Sequence, residues 1–275
     1  MATVLSTSIE AQPDADVAAS RKPTALITGA SSGIGEEFAR QLADKGYRLI
    51  LAARRADRLH QLASQLNAEV EIVVADLATE EGMAKVEAAI NDHSPDLLVN
   101  NAGFGTTGKF HHVEPYKIAD MVMVHGMATA ILSRTALPAM IDRGSGAIIN
   151  VASIAAFIAR PGSANYSATK AYMVALSRSL NAELRGTGVH VQALCPGFTY
   201  TEFHDTPEFE RFSREQVPKP LWMTASRVVQ ISIEALSTKK EIVIPGWRNK
   251  VIAYVASNRT LGPILSNFIL GRKKR

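Results

Sequence analysis

The residues of this chain best suited to chemistry are Ser153, Tyr166 and Lys170. Tyr166 and Lys170 are four residues apart in a stretch with helical periodicity, so phenol and ammonium share one face. An ammonium beside a phenol favours the phenolate and lowers a pKa that is about 10 unperturbed, making Tyr166 a usable acid or base. Ser153 leaves the end of an apolar run, Gly146 to Val151, and reaches the same space. There it can donate to a carbonyl oxygen while Tyr166 supplies the proton. Taken singly, each is an ordinary surface residue type; the combination carries the signal.

A second motif, Thr28-Gly29-Ala30-Ser31-Ser32-Gly33-Ile34-Gly35, follows the strand-like run Thr24 to Thr28 and opens a helical pattern, Glu36 to Lys45. Gly29 permits a tight exit from the strand. Gly33 and Gly35 remove Cβ atoms, so a pyrophosphate can approach the free N–H groups at the helix N-terminus. In that setting a Gly-rich turn, with Ser31, Ser32 and Ile34 completing it, reads as a dinucleotide site. The second strand, Tyr47 to Ala53, places Ala53 where an NAD enzyme usually carries an acid, and Arg54 and Arg55 follow. Guanidinium groups bind a 2′-phosphate well, so NADP is expected, with NAD the alternative. Otherwise Arg54, Arg55 and Arg58 form a solvated helix-start face. Asp76, after the run Val70 to Val74, either accepts from an adenine amino group or caps the next turn, and Leu77 walls the adenine.

These residues need a scaffold that brings loop ends together. Strand-like runs also occur at Asp96 to Val99, Val189 to Leu194 and Glu241 to Ile244. Helical patterns run between them: a helix through about Asn67 after the charged turn Arg54-Arg55-Ala56-Asp57, a helix from Thr79 to Asn91 with a capping-box start at Thr79, and two long helices, Pro115 to Arg143 and Tyr166 to Arg185. Alternation of this kind predicts right-handed crossovers. The expected fold is α/β, a doubly wound Rossmann domain with a seven-stranded parallel sheet covered by helices on both faces. It spans residues 23–250, after an N-terminal arm over 1–22 expected to be disordered, and precedes a basic, partly apolar extension over 251–275.

The ordered set Thr28-Gly-x-x-x-Gly-x-Gly35, Asn100-Asn101-Ala102-Gly103, Ser153, Tyr166-Ser-Ala-Thr-Lys170 and Pro196-Gly197 closely resembles the short-chain dehydrogenase/reductase family over about residues 24–250. The resemblance implies that Tyr166 is the general acid/base, that Ser153 positions the substrate oxygen, and that Lys170 holds the nicotinamide ribose and depresses the tyrosine pKa. It further implies that Asn101, Ala102 and Gly103 back the cofactor, that Pro196, Gly197 and Thr201 flank the carboxamide, and that the protein is a homodimer or homotetramer. The family commonly carries an Asn where this chain has His125, in Met123-Val124-His125-Gly126. An imidazole also donates and accepts, so His125 is expected either to join the proton relay or to fill packing space.

Specificity is expected in a lid over residues 198–223, where Phe198, Tyr200, Phe203, Phe209, Phe212 and Trp222 cluster. Phe198 and Phe203 are the expected substrate contacts, with Phe157 and Phe104 adding to the wall, and an apolar or aromatic ketone, aldehyde or alcohol is favoured. A carbonyl–alcohol oxidoreductase is therefore the leading expectation. A nucleotide-binding sensor or scaffold without turnover is the alternative, and an isomerase or lyase would use the same tyrosine.

Charge narrows the partners. The net charge is +4, yet residues 248–275 hold seven basic residues and no acid, leaving residues 1–247 at −3. A nucleic-acid-binding body is not supported. The basic, apolar tail suits either packing on the body or peripheral contact with an anionic membrane. One cysteine, Cys195, excludes an internal disulfide framework and a Cys-rich zinc site. With the N-terminal residues lacking an apolar signal core, a cytoplasmic protein without a bound metal is expected, with membrane association through the tail as the alternative to a free one.

Overall fold

Parallel pairing of short apolar runs builds the sheet that positions the site. The computed structural model describes residues 21–159, 161–210 and 212–258. Its strands are β1 (Thr24–Thr28), β2 (Arg48–Ala53), β3 (Val70–Val74), β4 (Leu97–Asn100), β5 (Gly146–Val151), β6 (Val189–Leu194), β7 (Phe198–Tyr200), β8 (Trp222–Thr224) and β9 (Ile242–Val243). Seven of them form one sheet in the order β3-β2-β1-β4-β5-β6-β9, every pairing parallel. The helices are α1 (Gly33–Asp44), α2 (Ala56–Gln65), α3 (Glu80–His93), α4 (Pro115–Val122), α5 (Thr129–Asp142), α6 (Ala164–Glu183), α7 (Ala225–Leu236) and α8 (Trp247–Ser257). The expected doubly wound fold is what forms.

Apolar side chains cover both faces, as a parallel sheet requires. On one, Ile27, Leu49, Leu51 and Val99 meet Phe38 and Leu42 of α1, Leu59 of α2 and Val228 of α7. On the other, Leu26, Ile50, Leu98 and Ile148 meet Val86 and Ile90 of α3 and Leu132 and Met140 of α5. Chain order reverses between β1 and β4, so the loops leaving those strands diverge and open a crevice at their carboxyl ends. A buried polar ladder crosses the middle strands: Asn100 Nδ2 donates to Asn150 Oδ1 at 2.9 Å, and Asn150 Nδ2 to Ser177 Oγ at 2.9 Å.

Several elements differ from expectation. The long helix expected from Pro115 to Arg143 is divided by a π-helical turn, Met123–Ala128, which contains His125 and Gly126. Thr79 does cap α3, accepting from Gly82 N at 3.0 Å. The third helical residue is that glycine, however, so no side chain returns the bond, and the capping box is only half made. The 198–223 region is not a plain loop: β7 and β8 pair in parallel around four short 3₁₀ turns. Arg21, assigned to the arm, donates to the Asp96 carboxylate at 2.7 Å. Residues 1–20 and 259–275, which include the rest of that arm and most of the basic extension, lie outside the described residues.

Candidate active site

The carboxyl ends of β1, β4, β5 and β6 and the segment around β7 and β8 surround a cavity of about 2090 Å³. That exceeds the roughly 300–1,000 Å³ of a usual small-molecule pocket and leaves room for a dinucleotide together with a bulky second ligand.

At one end lies the Gly-rich turn. Gly29 (φ +64°) and Gly33 (φ +60°) adopt left-handed backbone that side chains disfavour. A Cβ on Gly35 would stand 2.3 Å from the Gly29 carbonyl oxygen, so α1 can approach the strand only with glycine there. Asn101 fixes the turn from beneath, its Nδ2 donating to the carbonyls of Thr28 (2.9 Å) and Gly29 (3.2 Å). The backbone N–H groups of Asn101 and Ala102 both donate to Thr28 Oγ1 at 3.0 Å. These bonds hold Asn101 behind the cradle, its amide committed to the turn.

Arg55 spans the turn, donating to Ser31 Oγ (3.0 Å) and Ser32 Oγ (2.7 Å). Its other end lies 3.4 Å from Glu202, which also accepts from Arg58 at 2.8 Å. The Arg58 hydrogen bond, with Arg55 adding to it, holds the Glu202 carboxyl below its ordinary range. Arg54 is exposed and 3.7 Å from Asp76. Of the two roles foreseen for Asp76, the turn cap is present: its Oδ1 accepts from Ala78 N at 3.0 Å. Leu77, which is buried, lines the cavity together with the half-buried Ile34 and Ala102.

At the other end Tyr166, on the first turn of α6, presents its hydroxyl to Ser153, and the Ser153 hydrogen bond favours the phenolate. Ser153 begins a 3₁₀ turn and accepts from Ala155 N at 3.1 Å while its hydroxyl lies 3.5 Å from the Pro196 carbonyl. Lys170 is buried beneath, with Nζ donating to Val151 O at 2.8 Å and lying 5.7 Å from the centre of the Tyr166 ring. Burial outweighs the helpful contacts: it pushes the Tyr166 phenol up to about 12 and the Lys170 ammonium down to about 7. Burial is the largest cause of the rise at Tyr166, with the Ser153 hydrogen bond opposing it.

His125 is fully buried in the π turn. Phe104 N donates to its Nε2 at 3.1 Å, so the proton resides on Nδ1, which faces Thr169 Oγ1 at 2.9 Å. Burial, helped by the Lys170 charge, holds its pKa well below 6.5. Both nitrogens are thus engaged away from Lys170. The ring also fills the space beside Gly103, where a Cβ would be 2.6 Å from Nε2.

Pro196, Gly197 and Thr201 line the cavity, and Thr201 caps the following turn by accepting from Phe203 N at 3.3 Å. Phe198 and Phe203 line it too, Phe203 with its ring 5.9 Å from Tyr166, and Phe104 joins them. Phe157 does not line it. Ile154, Ala155 and Ile158 line the cavity, and Phe157 packs instead against the cluster that contains Met173 and Cys195. Sequence reasoning missed His204, within 5.5 Å of Phe209, Phe212 and Trp222 ring centres, and the apolar Ile154, Ile158, Leu221 and Ile252 that extend the wall. His204 stands amid the aromatic run that was noticed, but no spacing rule singled it out.

Residues 23–209 match the short chain dehydrogenase family model, and the chain belongs to that family. A solved short-chain dehydrogenase from Sphingobium yanoikuyae in complex with NADPH is 29% identical, covering 92% of this chain and 97% of that one at a TM-score of 0.76. The bulky-bulky ketone specific alcohol dehydrogenase from Comamonas testosteroni is 30% identical, covering 92% and 95%, with a TM-score of 0.73. Among curated relatives, the very-long-chain 3-oxoacyl-CoA reductase of Bos taurus is 28% identical over 85% of this chain and 79% of its own length. Another solved member, from Burkholderia phymatum, is in complex with NAD. The protein is therefore a family oxidoreductase with a nicotinamide dinucleotide site.

Proposed function

We propose that the protein interconverts a bulky apolar or aromatic ketone or aldehyde with its alcohol, using NADP(H). The observation that carries this reading is Ser153, Tyr166 and Lys170 converging on one wall of a cavity whose far end is the Gly-rich cradle. The glycine positions, where a Cβ has no room, and the Arg55–Ser31–Ser32 cluster fit a dinucleotide bearing a 2′-phosphate. When bound, that group supplies or accepts the hydride.

The chain's own residues do the rest. Ser153 donates to the carbonyl oxygen and fixes its position against the Tyr166 hydroxyl. Tyr166 delivers a proton to that oxygen in reduction and removes it in oxidation. Lys170, beneath the ring, supplies positive charge whenever it is protonated, which its lowered pKa makes dependent on pH near neutrality. Of the two roles expected for His125, relay member or packing residue, the second fits its bonds: it acts as a positioning residue that ties the Gly103–Phe104 turn to α6. Phe104, Phe198 and Phe203 hold the apolar body of the substrate and exclude water. The named alcohol dehydrogenase and 3-oxoacyl reductase relatives accord with a large carbonyl substrate. Association of copies through α5 and α6 is part of the same reading; Met127 and Tyr172, on the π turn and α6, are exposed.

The test is loss of NADPH absorbance with a panel of bulky ketones and aldehydes, set beside small ones. Turnover confined to the bulky members supports the reading. Cofactor binding without turnover on any of them favours the sensor alternative.

A further inference from the structure

The helix α8 has two chemically different sides. At 100° per residue, Trp247, Val251 and Tyr254 fall within about 60° of one another, flanked by Lys250 on one side and Arg248 on the other. All five are exposed, Trp247 by 66%, Val251 by 52% and Tyr254 by 78%. The opposite side is committed to the body: Asn249 and Ala253 are buried, and Ile252 and Ala256 line the cavity. Arg248 leaves its guanidinium 4.6 Å from the Trp247 ring centre, so charge and aromatic surface lie side by side.

We propose that this outer face of α8 docks on an anionic lipid bilayer. The pairing of Trp and Tyr with flanking Arg and Lys is the composition that seats a helix at the level of lipid head groups. Charge selects this occupant. From residue 242 to residue 275 the chain carries seven basic residues and no acid, and the part beyond Asn258 adds Leu261, Ile264, Leu265, Phe268, Ile269 and Leu270. A second copy seated on this face would bring the same uncompensated positive charge against itself, whereas an anionic surface neutralises it. Among the described residues no helix is long and apolar enough to cross a membrane, so the contact is peripheral. Because the other side of α8 lines the cavity, docking would bring that wall close to the source of an apolar substrate. The docking itself stands whether or not the proposed reaction is correct.

The test uses the full chain with vesicles of phosphatidylcholine alone or with one third phosphatidylserine, read by co-sedimentation and by tryptophan emission. Trp222 is buried, so a blue shift reports chiefly Trp247. Binding to the anionic vesicles only, about tenfold weaker in the triple variant Trp247→Ser, Val251→Ser, Tyr254→Ser and weaker again in high salt, is the expected result. NADPH binding by the triple variant checks that it is folded; should it fail that check, the single variant Tyr254→Ser carries the test. Absence of binding to either vesicle, equal binding to both, or undiminished binding by the folded variant each overturns the proposal. So does loss of a dimer in the variant, by sedimentation velocity, when wild type ignores vesicles.

Discussion

Thr169 Oγ1 lies 2.9 Å from His125 Nδ1 and donates to the Tyr166 carbonyl at 3.0 Å, so a single hydroxyl joins the π turn to the first turn of α6. With Phe104 N donating to the other ring nitrogen, every hydrogen-bonding site of the imidazole is used by its neutral form.

His125 is accordingly expected to stay neutral as the pH falls through 6.5, with no shift in its ring resonances by NMR over pH 6–8. Replacing it by Phe keeps a ring but leaves Phe104 N unpaired, at a cost of about 1–3 kcal/mol in stability. In the variant kcat is expected to fall more than KM rises, with the pH profile keeping its shape. A lost inflection would instead mark His125 as a proton carrier.

Lys170 makes stability depend on pH in a definite direction. Its folded pKa of about 7 is below the ordinary 10.5, so between these values the unfolded chain binds more protons and stability rises with pH. Above about pH 10 Tyr166 acts oppositely, because its raised pKa lets the unfolded chain lose the proton first. Wild type is expected to gain melting temperature between pH 7.5 and 9.5 relative to Lys170→Met, in which this contribution is absent. Parallel curves for the two proteins would contradict the assignment.

Arg55 touches both Ser31 and Ser32 while Glu202 engages it from the β7–β8 segment. Charged hydrogen bonds of this kind contribute about 1.5–3 kcal/mol, so Arg55→Ala should weaken NADPH binding about 10- to 100-fold with little change for NADH. Glu202→Gln removes a carboxylate that competes with a 2′-phosphate, and NADPH should bind severalfold tighter. Titration calorimetry with both nucleotides measures each effect.

Asn150 accepts from Asn100 and donates to Ser177 inside the sheet. Asn150→Ala removes both bonds, leaving Asn100 only Ser133 and Ser177 only the Met173 carbonyl, and about 1–3 kcal/mol of stability should be lost. For a chain of this size that lowers Tm by about 2–12 °C, measurable by calorimetry.

Much of this was legible before the structure. The strand runs Thr24–Thr28 and Gly146–Val151 were exact because inner parallel strands are continuous, largely apolar segments with sharp ends, and Val70–Val74, at the sheet edge, was exact through its β-branched residues. Ser153, Tyr166 and Lys170 were legible as a set because one helical turn links two of them. The π turn was not, since one extra backbone residue leaves hydrophobic spacing almost unchanged over a few residues. Phe157 misled because aromatic type reports burial without saying against what. Phe157 meets the cluster around Met173 and Cys195 instead, a tertiary neighbour that its residue type does not encode.

The most direct measurement is NADPH oxidation by wild type and Tyr166→Phe on a bulky aromatic ketone, with NADPH affinity determined for both. The account predicts turnover in wild type, a fall of at least about 10²-fold in the variant, and cofactor affinities within a few fold. Undiminished turnover in the folded variant would contradict Tyr166 as the proton donor.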